Sequence, residues 1–173
     1  MDGEFAPWGK DFTLSTNLEL TIYYHPGLVE DLGSPFLQWE NMVGQWAITD
    51  TTIRTQSGLF YDNIDSTSQT LSMTTSLFDV SGSNRVVVKI DHRYETEWDH
   101  DYIIVRILNE QNDILASRQW SGDSWDMANG DLISATTETS FDSVKVQLSF
   151  ITDGTVNYRG WEIESIMLFS ISD

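Results

Sequence analysis

The feature that most constrains this chain is a period of two. In Asp142-Ser143-Val144-Lys145-Val146-Gln147-Leu148-Ser149-Phe150, the residues Val144, Val146, Leu148 and Phe150 share one face of an extended strand and Ser143, Lys145, Gln147 and Ser149 share the other. A helix would scatter the same apolar residues around its axis, so the segment reads as a half-buried strand. Leu18 to Tyr24 alternates in the same way and stops at His25-Pro26-Gly27, where proline fixes its own backbone and glycine permits a tight turn. Arg85 to Asp91 places Val86, Val88 and Ile90 on one face, and Tyr102 to Leu108 is a nearly continuous apolar run, the pattern of a central strand. Weaker strand patterns cover Trp46 to Thr49, Gly58 to Tyr61, Thr70 to Met73, Ile114 to Ser117 and Gly160 to Ser170. Turn signals such as Ser81-Gly82-Ser83-Asn84 and Asp153-Gly154 separate them.

Within Gly160 to Ser170 the phase changes: Trp161 and Ile163 are odd, Ile166 and Leu168 even. A bulge near Ser165 reconciles both pairs with one core. Phe36, Trp39, Val43 and Trp46 have helix-like spacing, but Gly44 interrupts it and Pro35 precedes it, so a short helical turn and an irregular segment stay equally open there. About nine short strands at intervals of roughly 8–12 residues, without a solenoid repeat, predict an all-β fold, a two-sheet antiparallel β-sandwich of jelly-roll type. One domain is expected over residues 13–173, preceded by a flexible lead at 1–12.

Charge limits the partners. Nine Lys and Arg against 27 Asp and Glu leave a formal net charge of -18. Six Arg and three Lys spread through such a field cannot form the patch that binds a phosphate backbone, and anionic membranes are disfavoured for the same reason. No apolar run reaches the ~18 residues that span a bilayer, so membrane insertion is not expected. The absence of Cys removes thiol nucleophiles, disulfides and zinc-thiolate sites. Of His25, His92 and His100, none sits in a His-Glu-x-x-His pattern. Gly122-Asp123-Ser124-Trp125-Asp126 ends in Asp where a nucleophile elbow needs Gly. No catalytic residues are assigned, and the chain is expected not to be an enzyme.

Two features remain that can carry a ligand. Glu95-Thr96-Glu97-Trp98-Asp99-His100-Asp101 holds four acids immediately before the central strand. It reads either as a solvated loop or as a cluster whose mutual repulsion a hard cation would relieve. Seven Trp residues supply either core or flat faces for stacking on sugars. Trp46 and Trp161 are in phase with strand faces and belong to the core, whereas Trp120 and Trp125, flanking Ser121 to Ser124, are the candidate ligand-binding pair, with at least one expected to be exposed.

Three separated stretches, in order, resemble a known family: Trp46 to Tyr61-Asp62-Asn63, His92 to Glu97 followed by Asp101-Tyr102-Ile103-Ile104-Val105, and Thr152 to Val156 before Gly160-Trp161-Glu162-Ile163. Over roughly residues 36–170 the chain resembles the MAM-like jelly-roll domain attached to immune inhibitor A-type metallopeptidases, which is similar to the cleaved-adhesin modules of secreted bacterial peptidases. The resemblance implies a galactose-binding-like sandwich that is non-catalytic, stabilised by structural calcium and carried on a secreted or cell-surface prokaryotic protein. It implies metal ligands at Glu40, Asp101 and Glu164, with Ser165 standing where the family pattern has a second acid. The expected partners are the domains of a parent peptidase or surface protein, with a protein or glycan ligand. The leading expectation is therefore an accessory or adhesion domain, and the alternative is a carbohydrate-binding module of a secreted glycosidase or adhesin. The dense acidity also fits a halophilic source.

Overall fold

The alternation is realised as antiparallel strands in the computed structural model, which describes residues 21–24, 39–49, 52–55, 68–126 and 129–172. They are β1 (Thr21–Tyr24), β2 (Trp39–Val43), β3 (Ala47–Ile48), β4 (Ile53–Arg54), β5 (Gln69–Thr75), β6 (Phe78–Glu95), β7 (Tyr102–Asn109), β8 (Ile114–Trp120), β9 (Asn129–Thr152) and β10 (Gly160–Ser172). The expected lead at 1–12 and the strand at Gly58 to Tyr61 lie outside the described residues.

Two long strands build the sandwich. The second half of β9 pairs with β7 on one side and β5 on the other, while its first half pairs with β6 from Arg85↔Thr136 to His92↔Asn129. One layer is therefore β2-β5-β9-β7-β8, and the other is β9-β6-β10 with β1, β4 and β3 beyond. β6 changes layer where its register with β9 shifts, between Asp79 and Ser83 and again before Arg85. Gly82 sits in that irregularity at φ 78°, a conformation open to glycine at little cost. The Ser81 to Asn84 turn signal thus marks a corner inside one strand rather than a break between two.

Both layers face one core. Val144, Val146, Leu148 and Phe150 are buried as the alternation requires, against Ile103, Val105 and Ile107 of β7, Leu71 and Met73 of β5, and Val86, Val88 and Ile90 of β6. β7 is an interior strand of its layer, flanked by β8 and β9, and even its outward-facing Ile104 and Leu108 are buried. In β10 the register with β6 shifts between Ile163 and Ser165, and Trp161, Ile163, Ile166 and Leu168 are all buried. The phase change in the sequence is this bulge.

The helix-like spacing from Trp39 to Trp46 is a strand instead. β2 pairs with β5 and shifts register between Glu40 and Val43, where Asn41 takes φ 51°. Trp39 packs against the core while Val43 faces solvent, so the spacing arises from a re-phased edge strand. Gly44 closes it at φ 83°, where an added Cβ would meet Leu71 Cγ at 2.5 Å.

Candidate ligand groove and metal centre

The outer face of the β2-β5-β9-β7-β8 layer carries a groove of about 400 Å³. Because antiparallel partners share a face, register fixes which side chains lie on the face that holds it. One row across the strands reads Glu40, Thr74, Gln147, Arg106 and Ser117. At its centre Arg106 Nη1 donates to Gln147 Oε1 at 2.9 Å and to Ser149 Oγ at 3.0 Å, and Gln147 Nε2 donates to Thr74 Oγ1 at 3.4 Å. Asn41, Ser72 and Asn112 add amides and a hydroxyl, and Val43 and Ile114 supply apolar walls. Lys145 Nζ reaches Asn112 Oδ1 at 3.0 Å. Donors and acceptors of opposite kinds alternate along a floor held rigid by three central strands, an arrangement able to orient hydroxyl groups. Sequence reading passed over Arg106; its signal is a lone cation inside the apolar run Tyr102 to Leu108.

A second site lies in the loop between β6 and β7. Oxygens of Glu97, Asp101 and Asp153 come within 4.8 Å of one another. The local fold imposes this proximity. The Asp101 N–H donates to Glu97 O at 3.0 Å, closing a tight turn, and Asp101 Oδ1 accepts the Asp153 N–H at 2.9 Å. Buried Thr96 ties the turn to the next loop through reciprocal bonds with Gly122. Thr155 Oγ1 contacts Glu97 Oε2 at 2.6 Å and Asp153 Oδ1 at 2.7 Å. The hydrogen bond from the Thr155 hydroxyl, with those from its backbone and from His100, holds the Asp153 carboxyl below the usual carboxylate range. Asp101 itself is fully buried. Three carboxylates in oxygen-rich surroundings fit a divalent cation such as calcium, whose ligand oxygens crowd to comparable separations.

This grouping differs from the ligand set Glu40, Asp101 and Glu164. Glu164 is ion-paired with Arg93 across the β6–β10 pair. Glu40 lies in the row of Arg106, three strands across from it, and Arg106 is five positions along from Asp101, which separates the two acids by roughly 20 Å. Asp101 is brought together instead with Glu97, from the acidic loop, and Asp153, from the turn after β9.

The tryptophans also differ from expectation, since neither Trp120 nor Trp125 is exposed; both are half-buried. The guanidinium of Arg118 lies over Trp120 at 5.2 Å, and those of Arg93 and Arg159 lie over Trp125 at 5.7 and 5.1 Å. Cation–π contact thus occupies the faces that sugars would stack on. Among the described residues Trp98 is the exposed indole, 75% accessible, resting on Gly122. His92 is buried among these rings: Trp161 Nε1 donates to its Nδ1 at 2.9 Å, and its Nε2 meets Asp131 Oδ2 at 3.0 Å. Arg118 pairs with the other Asp131 oxygen at 2.8 Å. Burial pushes the His92 pKa down, against the opposing pull of Asp131, so the ring is neutral with both nitrogens engaged.

No protein-family model matches the chain, and no curated protein does, so the MAM-like resemblance has no support from sequence comparison. Solved structures with similar chain paths include TmCBM61 in complex with β-1,4-galactotriose (13% identity, 61% of this chain and 66% of that one, TM-score 0.43). They also include CsCBM6-3 from Clostridium stercorarium in complex with cellobiose (16% identity, 88% and 93%, TM-score 0.34). A third is the arabinose-bound MgGH51 α-L-arabinofuranosidase, of which the chain spans 26% (10% identity, 85% of this chain, TM-score 0.44).

Proposed function

We propose that this protein is a non-catalytic carbohydrate-binding module of a secreted or cell-surface protein, with the outer-face groove as its glycan site. The reading takes the second of the two expectations above, and one observation carries it. A groove floored by Arg106, Gln147 and Thr74, with Ser149 buried beneath Arg106, offers both donors and acceptors, as a hydroxyl-rich ligand needs, and among the described residues no carboxylate lines it in a chain with 27 acids. Each neutral hydrogen bond contributes about 0.5–1.5 kcal/mol net, so a few of them give an affinity near millimolar, ordinary for a monovalent module. The buried His92, with both nitrogens occupied, is consistent with a binding rather than a catalytic role.

In the same reading Glu97, Asp101 and Asp153 hold a calcium ion that fixes the loops at one end of the sandwich. The ion would supply charge neutralisation and rigidity, with Asp101 as its buried anchor.

Affinity electrophoresis against neutral galactans, xylans and β-glucans tests the glycan site. Ser72→Phe, which fills the groove from the outer face of β5, is expected to abolish retention without lowering the melting temperature. Retention that survives Ser72→Phe and is lost in Trp98→Ala would move the site to the acidic loop and refute the groove.

A further inference from the structure

Arg106 stands out among the cations of this molecule. Among the described residues Arg54, Arg93, Arg118, Arg159 and Lys89 pair with carboxylates, and Arg85 is exposed to solvent. Arg106, half-buried at the centre of the groove, contacts only the neutral oxygens of Gln147 and Ser149, and Lys145, on the same face, contacts only Asn112. With acids outnumbering bases three to one in the chain, Arg106 is a half-buried guanidinium whose hydrogen-bond partners are both uncharged, so its charge can still be matched by an acid from outside the chain.

We infer that the groove takes a glycan carrying an isolated uronic acid, whose carboxylate is received by Arg106. The inference rests on the glycan reading above and names the ligand class. Only Nη1 is engaged by Gln147 and Ser149, so the remaining N–H groups of the guanidinium are left for a planar carboxylate, which matches their fork. Lys145 sits one pair of residues along β9 from Gln147, so it adds a second positive charge at the rim. Glu40, the acid in the same row, is three strands away, about 14 Å, beyond the screening length at physiological salt. The net charge of -18 decides the rest: it repels a polyanion, whereas a mostly neutral chain with sparse acid branches meets one guanidinium with one carboxylate.

Isothermal titration of the whole protein with glucuronoxylan, and with the same polymer after its carboxyls have been reduced to alcohols, tests this. The native polymer is expected to bind roughly ten- to a hundredfold tighter, the range of a charge-assisted hydrogen-bonded pair. Arg106→Gln should remove the difference. Gln147→Glu should do so as well, by giving Arg106 an internal carboxylate of nearly the same shape, and it keeps the test valid if Arg106→Gln does not fold. Equal binding of the two polymers at the groove overturns the uronate inference and leaves the glycan reading standing. Binding of neither polymer, nor of any neutral glycan in the panel, overturns both. Tighter binding of polygalacturonate or of a sulfated galactan than of glucuronoxylan overturns the assignment to an isolated uronate.

Discussion

Replacing Trp161 with Phe removes one N–H from a site that is 1% exposed and tests whether the His92 network is held as the geometry describes. Trp161 Nε1 donates to His92 Nδ1 at 2.9 Å, and no water can take its place at that depth without opening the core. Leaving a buried acceptor unmatched costs about 1–3 kcal/mol, and the smaller ring adds about 1–2 kcal/mol of lost packing. Trp161→Phe should therefore lose about 2–5 kcal/mol in urea unfolding followed by far-ultraviolet circular dichroism, with an unchanged denaturant slope. The same network sets a pH dependence. Burial lowers the folded pKa of His92 from 6.5, so below that pH the unfolded chain takes up a proton that the folded chain refuses. The stability this group contributes is complete above pH 6.5 and falls as pH drops toward the folded value, by about 1.4 kcal/mol per pH unit. Carboxylates titrate nearby, so the informative quantity is the difference in slope between wild type and His92→Gln from about pH 5 to 6.5. Identical slopes, or a Trp161→Phe loss under about 0.5 kcal/mol, would refute the reasoning.

Two further outcomes follow from the loops. Chelation of the calcium-loaded protein should lower its melting temperature, with about 2.7 kcal/mol at stake at a hundredfold excess over Kd, and Asp101→Asn should remove most of that response whereas Glu164→Gln should not. An unfolding curve unmoved by chelator would sink the metal assignment. Gly122→Ala, at φ 96° with its new Cβ 2.5 Å from Trp98 Cε3, should cost about 1–2 kcal/mol. Because the Trp98 ring can swing away, most of that cost should persist in a Trp98→Ala background; full rescue there would show that the clash, not the backbone, dominates.

The fold was legible because burial in a sandwich writes itself into alternation. Val144 to Phe150, Val86 to Ile90 and the bulge at Ser165 follow from which residues must face inward, a property each strand carries locally. What alternation hides is continuity: Ser81 to Asn84 has turn chemistry, yet β6 runs through it, because a bulge and a hairpin turn use the same small residues. The same limit applies to β2, whose helix-like spacing is a strand re-phased by Asn41.

The sites were legible only where chain neighbours are also space neighbours. Glu97 and Asp101 are close because a single turn joins them, so the acidic loop announced half of the cluster; Asp153 joins it through the pairing of β7 with β9, which no local pattern records. Trp120 and Trp125 bracket a polar loop and so read as exposed, but Arg93 of β6 and Arg159 of the loop before β10 come to cover Trp125, and Arg118, two residues earlier on β8, lies over Trp120. Arg106 is the reverse case. Its neighbours in sequence are apolar and say only that it is out of place, and its meaning depends on Gln147 and Ser149 lying across the β7–β9 pair. In an acidic chain the scarce charge is the informative one: 27 acids dilute any argument from a single carboxylate, whereas a cation half-buried at the floor of a groove among neutral partners, as Arg106 is among the described residues, is where an external acid is best received.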